Sequence, residues 1–338
     1  MLLESILSSR YSLLHFQIGS EGREENRLQR LTRLIISPFA FGAFLARYNP
    51  AIVHINTSLV PQAYWRDLVY LCVAKVFRRK VVSQIHGGAF PAQFAANAVT
   101  RFFLRRFIRA SDIVTVLSSD ELQAYRTFDQ CACVEVVPNA VALTRVLTEP
   151  RLPAPDASLR LVYVGRIVRT KGLFDVLPAL AMLRKEGLMF NFRVAGSGPD
   201  EGEFRRTITS LGLDRVVQML GPVFGEDKDH LWVKSDLFLF PTFHLEGLPY
   251  SILESLAAGC VPVTCPVAGI RDVVLDEVHG LFVAPKDPEA VAAAIRRLAR
   301  NRDELRRMSQ AGRRRIAEQY TVARLAARFR EIYERVGQ

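Results

Sequence analysis

The chain has 338 residues, about twice the usual domain length, so two domains are expected, each with its own core. Its 49% hydrophobic and 23% charged residues are ordinary globular composition and exclude a disordered or collagen-like chain. Lys and Arg outnumber Asp and Glu by 45 to 34, and residues 1–155 carry 18 basic against 11 acidic side chains, so +7 of the net +11 lies in the first half. Such an excess favours polyanions, anionic lipid surfaces or phosphorylated substrates without choosing among them.

In chain order, a short helix is expected over Leu2–Arg10 and a strand over Leu13–Ile18. A long amphipathic helix (Leu28–Arg47) follows, then strands at Ala51–Asn56, Lys80–Ile85, Asp112–Leu117 and Val134–Val137. Arg101–Arg109 has four arginines on one side of a helical wheel and Phe103, Leu104, Phe107 and Ile108 on the other. Two uses fit that pattern: contact with anionic lipid, or an apolar face laid on a sheet. After the proline-rich stretch around Pro150, Pro153 and Pro155, strands resume at Leu159–Val164, Phe190–Ala195, Val216–Leu220, Asp236–Phe240, Val261–Cys265 and Leu281–Val283. Helical patterns at Gly172–Glu186 and Ala290–Arg300 lie between them, and a basic helical region, Glu304–Arg335, ends the chain.

Near-continuous apolar strands alternating with helices indicate parallel sheets covered on both faces. The expected fold class is therefore α/β, with two doubly wound Rossmann-like domains. The expected boundaries are 1–150 and 151–320, with 321–338 as a terminal helix packing back on the first domain. No apolar run reaches the roughly 18 residues that span a bilayer. Met1–Arg10 lacks the pattern of a secretory signal. Five scattered cysteines do not form a disulfide framework and suit a reducing compartment. A cytoplasmic protein is expected, with the basic segments leaving room for a peripheral place on the inner face of the cell membrane.

Ligands of such sheets sit at the carboxyl ends of the strands. The segment from Asp236 to Gly259 is the most informative there: a strand breaks at Pro241, and a loop delivers Glu246, Gly247 and Leu248 to a helix that begins near Pro249. A helix N-terminus offers free N–H groups and a positive dipole end to an anion. Glu246 and Glu254 are suited to accept hydrogen bonds from hydroxyls rather than to hold phosphate. The phosphate charge is matched by Arg166, after Gly165 at the end of one strand, and by Lys171 at the next helix entry. Diphosphate cations, hydroxyl-binding carboxylates and an anion-accepting helix end together describe a site for a nucleoside-diphosphate sugar.

These motifs resemble those of glycosyltransferase family 4, retaining enzymes of the GT-B fold, in which two Rossmann-like domains face a cleft. The resemblance rests on Glu246-x7-Glu254 enclosing Gly247-Leu248-Pro249, on Gly165-Arg166 with Lys171-Gly172, and on the Ala195–Pro199 turn containing Gly196 and Gly198. Val267–Asp272 and Gly280–Val283 complete it, and the looser N-terminal match rests on Ile85–Gly88 and Val137–Asn139. It implies that Arg166 and Lys171 hold the donor pyrophosphate and Glu254 the ribose hydroxyls. Glu246 would lie against the donor sugar, the Gly247–Pro249 backbone against sugar and phosphate, and His86 near the anomeric carbon. It implies sugar transfer with retention to a saccharide or lipid-linked acceptor in surface polysaccharide or glycolipid synthesis, with no metal or other cofactor. The family opens with a strand and a glycine-rich loop ahead of the helix that Leu2–Arg10 matches, so by this pattern the chain is short at its start.

Three other readings compete. A glycoside hydrolase would use the paired glutamates but leave Arg166 and Lys171 idle, and a nucleotide-sugar epimerase shares the fold. A nucleic-acid binder would need basic residues interleaved with aromatics in a known module, which the sequence lacks. Asp227-Lys228-Asp229 is read as a solvated helix start and His244 as a neighbour of the site.

Overall fold

The computed structural model describes residues 6–19, 26–144, 158–244 and 247–338. It divides into two compact units, Met1–Pro138 with Val322–Gln338, and Asn139–Thr321. The cut after Pro138 falls twelve residues ahead of the expected one at 150.

The first unit is built on four parallel strands, β1 (Ile52–Leu59), β2 (Lys80–Gly88), β3 (Ile113–Val116) and β4 (Val134–Val136), in that spatial order. Helices α1 (Arg27–Tyr48), α2 (Pro61–Val76), α3 (Pro91–Phe94), α4 (Ala98–Ala110) and α5 (Ser119–Phe128) connect them. Local signals start these helices where the sequence offers them: Asn97 accepts from the Thr100 N–H, Ser118 from the Glu121 N–H, and Pro61 occupies the first turn of α2. One face of the sheet carries a core with Leu45, Tyr64, Tyr70, Leu104 and Phe107. The opposite face is covered by the C-terminal helix Val322–Gly337, whose Ala326, Phe329, Ile332 and Val336 pack with Leu7, Val82, Ile113 and Val137. That helix is also pinned by polar contacts: Tyr333 Oη lies 2.5 Å from His54 Nδ1, and His54 Nε2 is 3.2 Å from Gln84 Oε1. Burial, aided by the nearby His86, lowers the His54 pKa to about 4 and keeps the ring neutral.

The expected strand over Leu13–Ile18 is not formed. This segment and Ile52–Asn56 of β1 both line a cavity of about 680 Å³. The apolar pattern is instead met by side chains, with the Phe16 ring 5.1 Å from that of Phe41 and 5.3 Å from that of Phe44. Within the expected helix Leu2–Arg10, Ile6–Ser9 form a 3₁₀ turn and the first five residues lie outside the described ones.

The second unit has six parallel strands, β5 (Leu159–Val164), β6 (Phe190–Ala195), β7 (Val217–Gly221), β8 (Leu237–Phe240), β9 (Val261–Thr264) and β10 (Leu281–Phe282), ordered β10-β9-β8-β5-β6-β7. Helices α6 (Leu173–Lys185), α7 (Glu201–Ser210), α8 (Gly225–Val233), α9 (Tyr250–Ala257), α10 (Gly269–Val273), α11 (Pro288–Arg300) and α12 (Arg302–Gln319) complete it. β8 and β9 are buried at every residue, as central strands covered on both faces should be. At the amino end, Asp236 fixes the β5–β8 pairing: it accepts from the Arg160 backbone N–H at 2.9 Å and from the Arg160 guanidinium at 2.9 and 3.1 Å. The basic region after Glu304 is two helices, α12 and the C-terminal one, which belong to different units.

Candidate active site

The order of the second sheet contains its switch point. From β5 the chain goes to β6 and β7 on one side, then returns to β8 on the other, which pairs directly with β5 through Leu161–Leu237 and Val162–Phe238. The carboxyl edge beside β5 and β8 is therefore the topological switch point, the usual ligand position in doubly wound sheets. Gly165, Arg166 and Lys171 are on the first loop, and Gly247, Leu248 and Pro249 on the second. Sequence elements 80 residues apart thus meet at one sheet edge.

The two loops are bound to each other. The Thr170 carbonyl accepts from the N–H groups of Phe243 and His244, both at 3.1 Å, and from Thr242 Oγ1 at 3.3 Å. Gly172 has φ +72°, and a Cβ there would sit 2.0 Å from the Pro241 carbonyl oxygen, so no other residue fits that junction. The loop after β6 presses in from the other side. Cβ atoms on Gly196 and Gly198 would lie 1.9 Å from the Gly165 oxygen and 2.1 Å from the Ile167 oxygen. Both glycines therefore position the backbone that carries Arg166.

Arg166 is exposed and makes no ion pair with a described residue, while its carbonyl accepts from Tyr163 Oη at 2.7 Å. Lys171 is half-buried, with Nζ 5.5 Å from the centre of the Phe240 ring. Burial first, and the Arg166 charge second, lower the Lys171 pKa to about 8. His244 lies in the same surroundings, and burial and Lys171 lower its pKa. A further cation is near: Lys286 Nζ stands 5.0 Å from the ring centre of Phe243.

Helix α9 begins after Pro249, whose φ of −66° suits the entry, and no side chain caps it. Its approach is held in place by two bonds: Asn139 Nδ2 donates to the Leu248 carbonyl at 2.8 Å, and the Gly269 N–H donates to the Gly247 carbonyl at 2.9 Å. Leu248 is buried beneath the turn. Glu246 lies outside the described residues. Glu254, one and a half turns into α9, is engaged by two side chains of α8. Its Oε1 is 2.7 Å from Lys228 Nζ and its Oε2 accepts from Trp232 Nε1 at 3.2 Å. Each oxygen retains a lone pair for a hydroxyl donor. Lys228 belongs to the Asp227-Lys228-Asp229 run, which opens α8 as expected with Asp227 exposed in the first turn, but the run is not solvated throughout: Asp229 is buried and accepts from Thr144 Oγ1 at 2.8 Å. Sequence reading missed Lys228 and Trp232, since the residues pairing with Glu254 stand 26 and 22 positions away on another helix.

In the first unit, His86 is exposed at the carboxyl end of β2, with Nε2 3.0 Å from Asn56 Oδ1 at the neighbouring β1. Among the described residues no cluster of His, Cys, Asp or Glu is arranged to hold a metal ion, and no helix is long and apolar enough to cross a membrane.

A family model described as "Glycosyltransferase Family 4" matches residues 16–145, and one described as "Glycosyl transferases group 1" matches residues 148–315. Among curated proteins, a putative colanic acid biosynthesis glycosyltransferase of Salmonella typhimurium is 25% identical over 87% of this chain and 70% of its own length. Its Escherichia coli counterpart is 27% identical over 77% of this chain, which covers 62% of that protein. The amylovoran biosynthesis glycosyltransferase of Erwinia amylovora is 24% identical over 96% and 78%. The chain thus spans only part of the length of these relatives. Among solved structures, sucrose-phosphate synthase from Thermosynechococcus elongatus aligns with a TM-score of 0.74 at 20% identity over 96% of this chain and 82% of that one. HepE of Anabaena in complex with UDP-glucose aligns at 0.72 and 15%, over 92% and 84%. With both halves matched by family models and the two parallel-sheet units matching those folds, the chain belongs to the GT4-type glycosyltransferases of the GT-B fold.

Proposed function

We propose that the chain moves a sugar from a nucleoside-diphosphate sugar to a saccharide or lipid-linked acceptor in the assembly of a surface polysaccharide. The observation that carries this reading is the convergence at the β5/β8 switch point of two cations, Arg166 and Lys171, with the uncapped start of α9. That end of the site suits a diphosphate, which two positive side chains and main-chain N–H groups would neutralise. Glu254, with its charge already matched by Lys228, suits the ribose hydroxyls at the other end. The relatives named for colanic acid and amylovoran synthesis, and the structure named with UDP-glucose, support the process and the donor class.

In the proposed reaction the acceptor hydroxyl oxygen attacks the anomeric carbon on the face the leaving group departs from. The new glycosidic bond forms as the bond to the diphosphate oxygen breaks. The acceptor proton passes to that diphosphate oxygen, so configuration is retained. Arg166 and Lys171 stabilise the charge growing on the leaving group. Glu246 holds the donor sugar and His86 acts on its hydroxyls near the anomeric carbon, the roles the resemblance gives them. No metal is required by this scheme. A panel of sugar nucleotides, scored for nucleoside-diphosphate release with and without saccharide and lipid-linked acceptors, tests the proposal. Release that requires acceptor, with an anomeric proton of donor configuration in the product, is expected. Donor breakdown independent of acceptor would overturn it, and so would activity abolished by a chelator and restored by manganese.

A further inference from the structure

We propose that Asn56 is a positioning residue: it holds His86 as the Nε2–H tautomer and so leaves Nδ1 as the ring atom that accepts a hydrogen bond from a donor-sugar hydroxyl. This rests on the reading above that His86 acts on those hydroxyls, and it adds which nitrogen does so and what fixes it. Alternate residues of a strand point the same way, so His54 and Asn56 of β1 share one face of the first sheet, as do Gln84 and His86 of β2. Asn56 is the register partner of Gln84, and the four side chains therefore form a zigzag across the two strands. In each histidine Nε2 meets an amide oxygen on the neighbouring strand: His54 Nε2 is 3.2 Å from Gln84 Oε1, and His86 Nε2 is 3.0 Å from Asn56 Oδ1. An amide oxygen only accepts. Each ring therefore carries its proton on Nε2 and keeps the Nδ1 lone pair.

The two rings differ in what Nδ1 meets. His54 Nδ1 accepts from Tyr333 Oη at 2.5 Å, and the His54 ring packs 4.8 Å from that of Phe329. Both of its nitrogens are committed to holding the C-terminal helix on the sheet. His86 sits one strand over at the carboxyl end of β2, and its Nδ1 makes no hydrogen bond with a described residue. The same amide device thus closes one histidine into the fold and leaves the other with an open lone pair. Its protonation state agrees. Desolvation lowers the His86 pKa, and the titratable group facing it is His54, which is itself neutral and whose own pKa His86 helps to lower. A neutral ring whose one proton is already given to Asn56 meets a hydroxyl as an acceptor, and a sugar hydroxyl is a donor that suits it.

The test is NMR of the full chain with isotope-labelled histidine nitrogens, His86→Gln assigning the signal, together with the pH profile of sugar transfer. We expect the Nε2–H tautomer for His86 at neutral pH. Asn56→Asp keeps an oxygen acceptor and adds a negative charge, so the tautomer should persist while the His86 pKa, and with it the acid limb of kcat, rises by about one pH unit. Asn56→Ala removes the anchor, so both tautomers should be populated and kcat should fall by up to about tenfold, with donor KM, UDP affinity and the circular dichroism spectrum unchanged. An Nδ1–H tautomer in the wild type, a tautomer indifferent to Asn56→Ala, or an acid limb unmoved in Asn56→Asp overturns the proposal. Equal loss of kcat in both variants at every pH also overturns it, assigning Asn56 to packing alone. The tautomer is read without any ligand, so its failure is distinct from failure of the transferase reading, which the sugar-nucleotide panel decides.

Discussion

Raising the pH through 8 should weaken nucleoside-diphosphate binding, because Lys171 would lose the charge that the ligand needs. Burial and Arg166 hold the Lys171 pKa near 8 in the empty site. A bound diphosphate is an opposite charge at close range and would return that pKa toward the usual lysine value. Binding at pH 8 should therefore take up roughly half a proton, and at pH 9 nearly a whole one. Affinity should fall by about tenfold per pH unit above 8, until the contact is lost. One charge-assisted contact is worth about 1.5–3 kcal/mol, so the total fall is roughly ten- to a hundredfold. The phosphate groups change little in this range, their second ionisation lying near pH 6. Calorimetric titration with UDP, in buffers of different ionisation enthalpy, reads affinity and proton uptake together. Lys171→Arg, which keeps its charge, should bind with no such dependence. A wild-type affinity that is flat from pH 7 to 9.5, with no proton exchange, would refute the placement of Lys171 at the diphosphate.

Gly198→Ala should displace the Arg166 loop, since the added Cβ would meet the Ile167 oxygen at 2.1 Å; about 2 kcal/mol of stability and most of the donor affinity should be lost, as read by denaturant titration and calorimetry. Lys228→Met leaves Glu254 mostly buried without its cation, so weaker nucleotide binding is expected at pH 7 with partial recovery in Lys228→Arg; equal loss in both would argue for packing alone. Asp236→Ala removes three bonds that pin β5 to β8 and should cost about 3 kcal/mol in a thermal or urea melt. His54 has a folded pKa near 4 against 6.5 when unfolded, so the unfolded chain binds more protons between those values. Stability of the first unit is then complete above pH 6.5 and should fall by up to about 3 kcal/mol as pH drops to 4; His54→Gln should flatten that slope.

Why some of this was legible in the sequence follows from the range of the interactions. Leu237–Phe240 was readable as a buried parallel strand because all four of its residues are large and apolar, and Val261–Thr264 because its two valines lie in a short run of the same kind. The Arg166 and Lys171 positions were readable because a strand end and a helix entry are local features. Leu13–Ile18 misled because apolar alternation reports side-chain burial and not ladder bonding, and Phe16 finds its neighbours on α1 across no ladder at all. The outward turn of Phe102 was equally hidden. A helical wheel separates two faces, but only the packed structure shows where on α4 the sheet's cover stops and solvent begins.

The Lys228–Glu254 pair, which no local pattern could announce, alters what the site asks of its ligand. A carboxylate open to the site would repel a diphosphate and draw a cation. With Lys228 on one oxygen and Trp232 on the other, Glu254 presents little net charge and a fixed set of remaining lone pairs, which neutral hydroxyl donors satisfy best. At the opposite end Arg166 and Lys171 repel each other, and the repulsion is part of what lowers the Lys171 pKa. Only an anion relieves it. The second unit is therefore polar in the sense of direction: anionic ligand groups are favoured between the β5 loop and the start of α9, and hydroxyls beside Glu254 farther along that helix. A glycoside has hydroxyls for one end and nothing for the other, whereas a nucleoside-diphosphate sugar matches both. Paired glutamates alone do not distinguish the two substrates; on the proposed reading, the charge already matched at Glu254 favours the second.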